Sequence, residues 1–173
     1  MSLESANLSR RKLLKAGAIG VPAAGVLAFG STLVTATSAN AISADGWWGE
    51  ETSAGLQRFL NAVVPGNTDW ASAGELNTGL VVDGVISSQS SLIAPQCPGI
   101  VGGWEWVPSG QATGSPTIRW MNLWLGLVPP QTSLVSNTIR VLQSHYGISQ
   151  DGRLDGPSQT IMALQNEINQ YVG

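Results

Sequence analysis

Few residues in this chain are equipped to do chemistry, and their spacing rules most reactions out. It has one histidine, His145, and one cysteine, Cys97. A cysteine nucleophile wants a base within hydrogen-bond reach, yet Cys97 lies in Ala94-Pro95-Gln96-Cys97-Pro98-Gly99 and His145 lies in a helical repeat far along the chain. One His and one Cys cannot furnish a zinc site, so no metal or other cofactor is expected. Asp45, Glu50 and Glu51 come nearest to a carboxylate pair. Glycosidase chemistry needs two carboxyls held roughly 5 to 9 Å apart across a bond, whereas these acids suit a tight turn and a helix start. No Gly-x-Ser-x-Gly elbow or phosphate loop is present. The seven tryptophans say more. Indole faces stack on flat rings while the N–H donates outward. Trp47, Trp48, Trp104 and Trp106 are the candidates, and the last two flank Glu105, so an extended backbone would turn both to one face.

The elements that must position these side chains are short helices. Thr117-Ile118-Arg119-Trp120-Met121-Asn122, Thr138-Ile139-Arg140-Val141-Leu142-Gln143 and Thr160-Ile161-Met162-Ala163-Leu164-Gln165 repeat one pattern, and Thr52-Ser53-Ala54-Gly55-Leu56-Gln57 is a weaker copy. Units this small cannot bury an apolar face alone and must pack together. Ile118, Met121 and Leu125 keep helical spacing, as do Ile139, Leu142 and Tyr146, and Ile161, Leu164 and Ile168. Ser115-Pro116 predicts a cap followed by proline at the first helical position, and Ser136 a second cap. Gly126 and Gly147 predict left-handed helix ends with Leu127 and Ile148 folding back. Pro157 is expected to start the last helix, and Glu50–Val63 to form the first. A short helix is expected over Trp70–Leu76. Trp124 aligns with Phe59, His145 and Glu167 as a half-exposed column. Gln57, Gln143, Gln165 and Asn122 recur beside the buried position, where a bond to a neighbouring loop backbone is the favoured role.

Residues 1–41 read as an address. Ser9-Arg10-Arg11-Lys12-Leu13-Leu14-Lys15 precedes a mild apolar run diluted by Gly17, Gly20, Gly25 and Gly30, and Ala39-Asn40-Ala41 closes it. The pattern resembles a bacterial twin-arginine export signal, carried by Arg10 and Arg11. The competing reading, an uncleaved anchor, is weakened by the glycines and Pro22. Cleavage after Ala41 would leave Arg58, Arg119, Arg140 and Arg153 against ten acids, a formal charge of about −6 with no lysine. Such a chain lacks the basic patch that nucleic acid or an anionic membrane requires. A lone cysteine excludes an intrachain disulfide.

Asp-Gly turns adjoin the helices at Asp45-Gly46-Trp47-Trp48-Gly49, at Asp83-Gly84-Val85-Ile86-Ser87 and at Asp151-Gly152-Arg153-Leu154, which leads to Asp155-Gly156-Pro157-Ser158-Gln159-Thr160. With Thr52, Leu56-Gln57, Leu60, Gly103-Trp104-Glu105-Trp106 and Ile139 through Leu164-Gln165, they resemble the three-helix peptidoglycan-binding domain family, in the form found as C-terminal wall-binding tails of secreted bacterial lysozymes and endolysins. Ser53, Asn122 and Asp155 depart from the pattern, and the loop Asn61–Leu80 is long for it.

The resemblance implies an all-α fold of two small three-helix units with Asp-Gly turns. The expected organisation is a signal over 1–41, an N-terminal unit over 42–90, a Pro/Gly/Ser-rich connector over 91–111 and a C-terminal unit over 112–173. It implies a secreted, cell-wall-associated protein that binds peptidoglycan glycan or stem peptide without catalysis. The ligand-binding set is Asp45, Trp47, Trp48, Trp104, Trp106, Asp151 and Arg153. A separate secreted hydrolase is the other partner the resemblance admits, and the alternative function is a muramidase- or amidase-like wall hydrolase, or an accessory subunit or inhibitor of a secreted enzyme.

Overall fold

A computed structural model describes residues 40–64 and 79–173. The export signal with Arg10 and Arg11 lies outside these residues, save for Asn40 and Ala41, as does the helix expected over Trp70–Leu76. Four helices are described: α1 (Glu50–Val63), α2 (Pro116–Trp124), α3 (Ser136–His145) and α4 (Gln159–Val172). Among the described residues no helix is long and apolar enough to cross a membrane.

Local chemistry sets the helix ends. Glu50 and Glu51 occupy the first turn of α1, where carboxylates meet the positive end of the helix dipole. Ser115 caps α2 by accepting the Thr117 N–H at 3.2 Å, with Pro116 in the first turn. Ser115→Ala is expected to cost about 1 kcal/mol, read as a lower urea midpoint with an unchanged slope. Ser136 is not a cap. It is the first helical residue of α3, Val135 stands before it, and its hydroxyl donates to Gln96 Oε1 at 2.6 Å. The last helix starts two residues beyond Pro157, with Ser158 accepting the Ile161 N–H at 3.3 Å. Gly126 and Gly147 take φ of +73° and +66°. Leu127 N–H then returns to Asn122 O, and Ile148 N–H to Gln143 O, both at 2.8 Å.

The all-α expectation is corrected. Ile86–Ser90 (β1) and Trp104–Val107 (β2) form a two-stranded parallel sheet, so the fold is mixed α/β. Ile86 pairs with Trp104 and Gln89 with Trp106, and the register slips between them, where Ser88 adopts a left-handed φ of +47°. A bulge of this kind re-aims the strand; it puts Ile86 and the Gln89 side chain inside.

Residues 96–107 run past the Asp-Gly turns at Asp45, Asp83 and Asp151. Leu154 N–H donates to Gln96 O and Gly99 N–H to Leu154 O; Trp48 N–H donates to Gly99 O and Val101 N–H to Trp48 O; Ile86 N–H donates to Gly103 O. This stretch is therefore a spine that holds turns from both halves of the chain. The picture of two small three-helix units is corrected with it: α1 packs chiefly on α4 and then α2, and one apolar cluster joins Ile42 to Ile168. Gly55 lets α1 and α4 approach, since a methyl there would lie 3.0 Å from Ile168 Cγ2 and 3.2 Å from Ile42 Cδ1.

Candidate functional site

The Asp-Gly turns at Asp45, Asp83 and Asp151 are each latched by a buried helical glutamine. At Asp45, Gln165 Oε1 accepts the Gly46 N–H at 3.0 Å, while its Nε2 donates to Trp47 O at 2.8 Å, Thr52 Oγ1 at 3.0 Å and Asp45 Oδ1 at 3.3 Å. At Asp83, Gln57 accepts from Gly84 N–H at 2.9 Å and donates to Asp83 Oδ1 at 2.8 Å and Val85 O at 3.2 Å. At Asp151, Gln143 accepts from Gly152 N–H at 2.9 Å and donates to Asp151 Oδ1 at 2.7 Å and Arg153 O at 3.1 Å. The glutamines thus bond loop backbone, as their recurrence beside the core suggested.

The turns share a burial rhythm. Glycine is buried, the next residue faces out, and the one after is core: Trp47 then Trp48, Val85 then Ile86, Arg153 then Leu154. Within each turn the aspartate accepts the N–H two residues on, at 2.9 Å from Trp47, Val85 and Arg153. Trp47 N–H holds the Asp45 carboxyl below the usual carboxylate range, and the Gln143 amide does the same for Asp151. A depressed folded pKa contributes stability that is present above the ordinary carboxylate value and is lost as pH falls toward the lowered one. Asp45→Asn should therefore flatten the fall in melting temperature on acidifying below about pH 4, measured by thermal circular dichroism.

Trp47 stands out. It is 39 % exposed, and its ring lies against Gly156, where any Cβ would overlap it. With Asp45, Glu50, Glu51, Val101 and Gln165 it lines an open cleft of about 340 Å³. A second cleft, of about 610 Å³, lies at the Asp83 turn and includes Gln57, Val85, Thr113, Thr117 and Arg119.

Of the seven residues expected to bind, the structure brings only Asp45 and Trp47 to one cleft. Trp48 is core, 1 % exposed, and its indole donates to Ser53 Oγ at 2.9 Å. Trp104 and Trp106 do share a face: their rings stack at 5.2 Å and 18°, and Trp104 meets Trp48 edge-on. Both are partly buried against the core, and Trp104 Nε1 is buried without a hydrogen-bond partner among the described residues. Arg153 pairs with Asp155 at 2.9 Å on the surface, and that carboxylate holds the guanidinium pKa up. Asp83, Val85 and Thr117 were overlooked as site residues, although aligning the Asp-Gly turns would have matched them to Asp45, Trp47 and Thr52.

The aligned column forms a contact chain across the four helices. Phe59 meets Trp124 at 5.2 Å, Trp124 meets His145 at 4.8 Å, and Glu167 Oε2 lies 3.3 Å from His145 Nε2 while accepting Tyr146 O–H at 2.6 Å. Burial pushes the Tyr146 phenol well up. Burial also pushes the Cys97 thiol up to about 12, so it stays protonated at neutral pH and is a poor nucleophile. Among the described residues no three His, Cys, Asp or Glu side chains gather as metal ligands. No family model, curated protein or solved structure matches this chain.

Proposed function

We propose that this chain is an exported, non-catalytic protein of the bacterial cell wall that binds peptidoglycan through the Trp47 cleft. The observation that carries the reading is the half-exposed indole seated on Gly156 beside Asp45, Glu50 and Glu51. An indole face suits a sugar ring, and carboxylates on an open rim accept hydrogen bonds from its hydroxyls. Open, shallow geometry suits a segment of polymer that continues beyond the site. The acids favour binding over hydrolysis, because Asp45 is committed to its turn, bonded by Trp47 N–H and Gln165. In this proposal export by the twin-arginine route rests on the reading of residues 1–41, and residence at the wall on the resemblance of the Asp-Gly and Leu-Gln motifs to wall-binding domains.

Purified sacculi test it by co-sedimentation. The chain should pellet, and Trp47→Ala should raise the apparent Kd by about tenfold with an unchanged far-UV circular dichroism spectrum. Protein that stays in the supernatant across pH and salt would overturn the proposal. Release of soluble muropeptides by the pure chain would favour the hydrolase alternative instead.

A further inference from the structure

The Asp83 turn reproduces every glutamine bond of the Asp45 turn and adds one, from Asp83 N–H to Gln57 Oε1 at 3.0 Å. A buried glutamine accepts the glycine N–H and donates to the aspartate and to the carbonyl two residues on, and a threonine from the following helix completes the set: Thr52 at 3.0 Å from Gln165, Thr117 at 3.5 Å from Gln57. Both turns border a cleft that reaches the start of that next helix, α1 in one case and α2 in the other. The internal repeat has thus produced two related concavities, and the larger takes no part in the function argued above.

Their linings differ where it matters. Val85 takes the place of Trp47, and among the described residues the only aromatic in the larger cleft, Trp120, is 3 % exposed and offers no stacking face. Val81, at 75 % exposure, joins Val85 and Pro116 as aliphatic wall. The hydroxyls of Ser87, Thr113 and Thr132 give donors and acceptors together. Asp83 and Arg119 bring one charge of each sign, and Arg119 also interacts within the chain. At about 610 Å³ the space is within the usual range for small-ligand sites.

We infer that the Asp83 cleft is a second binding site, for a short peptide of small aliphatic residues, while the Trp47 cleft takes sugar. Methyl-sized side chains meet Val81, Val85 and Pro116, and peptide amides bond the hydroxyl rim. The inference rests on the wall-binding reading and assigns the peptide arm of the polymer to a separate place. A chain that grips both moieties gains from effective concentration, so each contact alone is weak.

Isothermal titration of the full chain with tri-alanine, and separately with a trisaccharide of N-acetylglucosamine, tests it. The Val85→Trp variant fits the turn, since Trp47 and Arg153 occupy the same position in its siblings; Val85→Arg is the second choice if the first does not fold. Either bulky side chain should raise the tri-alanine Kd at least about tenfold, with the trisaccharide titration as internal standard. An unchanged tri-alanine Kd in these variants would overturn the inference. So would a wild-type chain that pellets with sacculi yet shows no heat with tri-alanine, an outcome that leaves the wall-binding reading standing. Failure to pellet would remove both.

Discussion

Replacing Gln165 with leucine is expected to lower the free energy of unfolding by about 2–4 kcal/mol. Leucine fills nearly the same volume, so the loss comes from hydrogen bonds rather than from a cavity. Gln165 is 1 % exposed, and its amide is what Gly46 N–H, Trp47 O and Thr52 Oγ1 bond at that place. A buried donor or acceptor stripped of its partner costs its full desolvation. The turn cannot swing into water to recover, because the adjoining Trp48 is pinned in the core at 1 % exposure and tied on both sides to Gly99 and Val101.

Gln143→Leu is the control. It removes the same three kinds of bond from a turn only 8 to 10 residues further along the chain, whose Leu154 is likewise buried and bonded to Gln96 and Gly99, but it strips no helical threonine as Gln165→Leu strips Thr52. Urea denaturation should rank Gln165→Leu as clearly the more destabilising. Equal losses, or a loss under about 1 kcal/mol for Gln165→Leu, would mean that water replaces the amide and that the latch is not what closes the fold.

That latch also marks where sequence reasoning stopped. The helices were legible because their signals are local: the Leu56, Phe59, Leu60 stripe placed α1 at its observed bounds, and Gly126 and Gly147 announced helix ends that two residues suffice to build. The glutamines were legible as loop binders. Their pairing was not, since three glutamines face three turns and nothing nearby says that Gln165 reaches back to Asp45 while Gln57 and Gln143 reach forward.

β1 was hidden for another reason. Ile86-Ser87-Ser88-Gln89-Ser90 carries one apolar residue, so it shows no alternation. Its second inward position is an amide, Gln89, which donates to Thr132 O at 3.1 Å and accepts Leu134 N–H at 2.7 Å. A strand buried through a glutamine and bent at a left-handed serine carries no strand signal in its sequence. The clefts followed the same divide: Trp47 drew notice as a tryptophan, whereas Val85 becomes visible only once the turns are superposed.

Gly156→Ala is the expectation that ties this architecture to binding most directly. Gly156 is not in the left-handed region of backbone space, so a positive φ does not bar alanine there. The obstacle is the neighbour: a methyl would overlap Cζ3, Cη2 and Cε3 of Trp47, all on the six-membered ring. The indole must leave. It is already 39 % exposed, so swinging out forfeits part of one side chain's burial, about 1 kcal/mol of stability. Binding should suffer far more, because a platform no longer held in place must be ordered again by each ligand.

Sacculus affinity should therefore fall about tenfold or more, while the urea midpoint drops only by what about 1 kcal/mol produces. The double variant Trp47→Ala with Gly156→Ala should bind no worse than Trp47→Ala alone, since both remove one device and contacting residues are not additive. A Gly156→Ala chain that binds like the unaltered protein, beside a Trp47→Ala chain that does not, would show that the ring works without its seat. Additive losses would point to Gly156 touching the polymer itself. Only the non-additive result makes the glycine the reason that a bulky aromatic can lie flat at the mouth of the cleft.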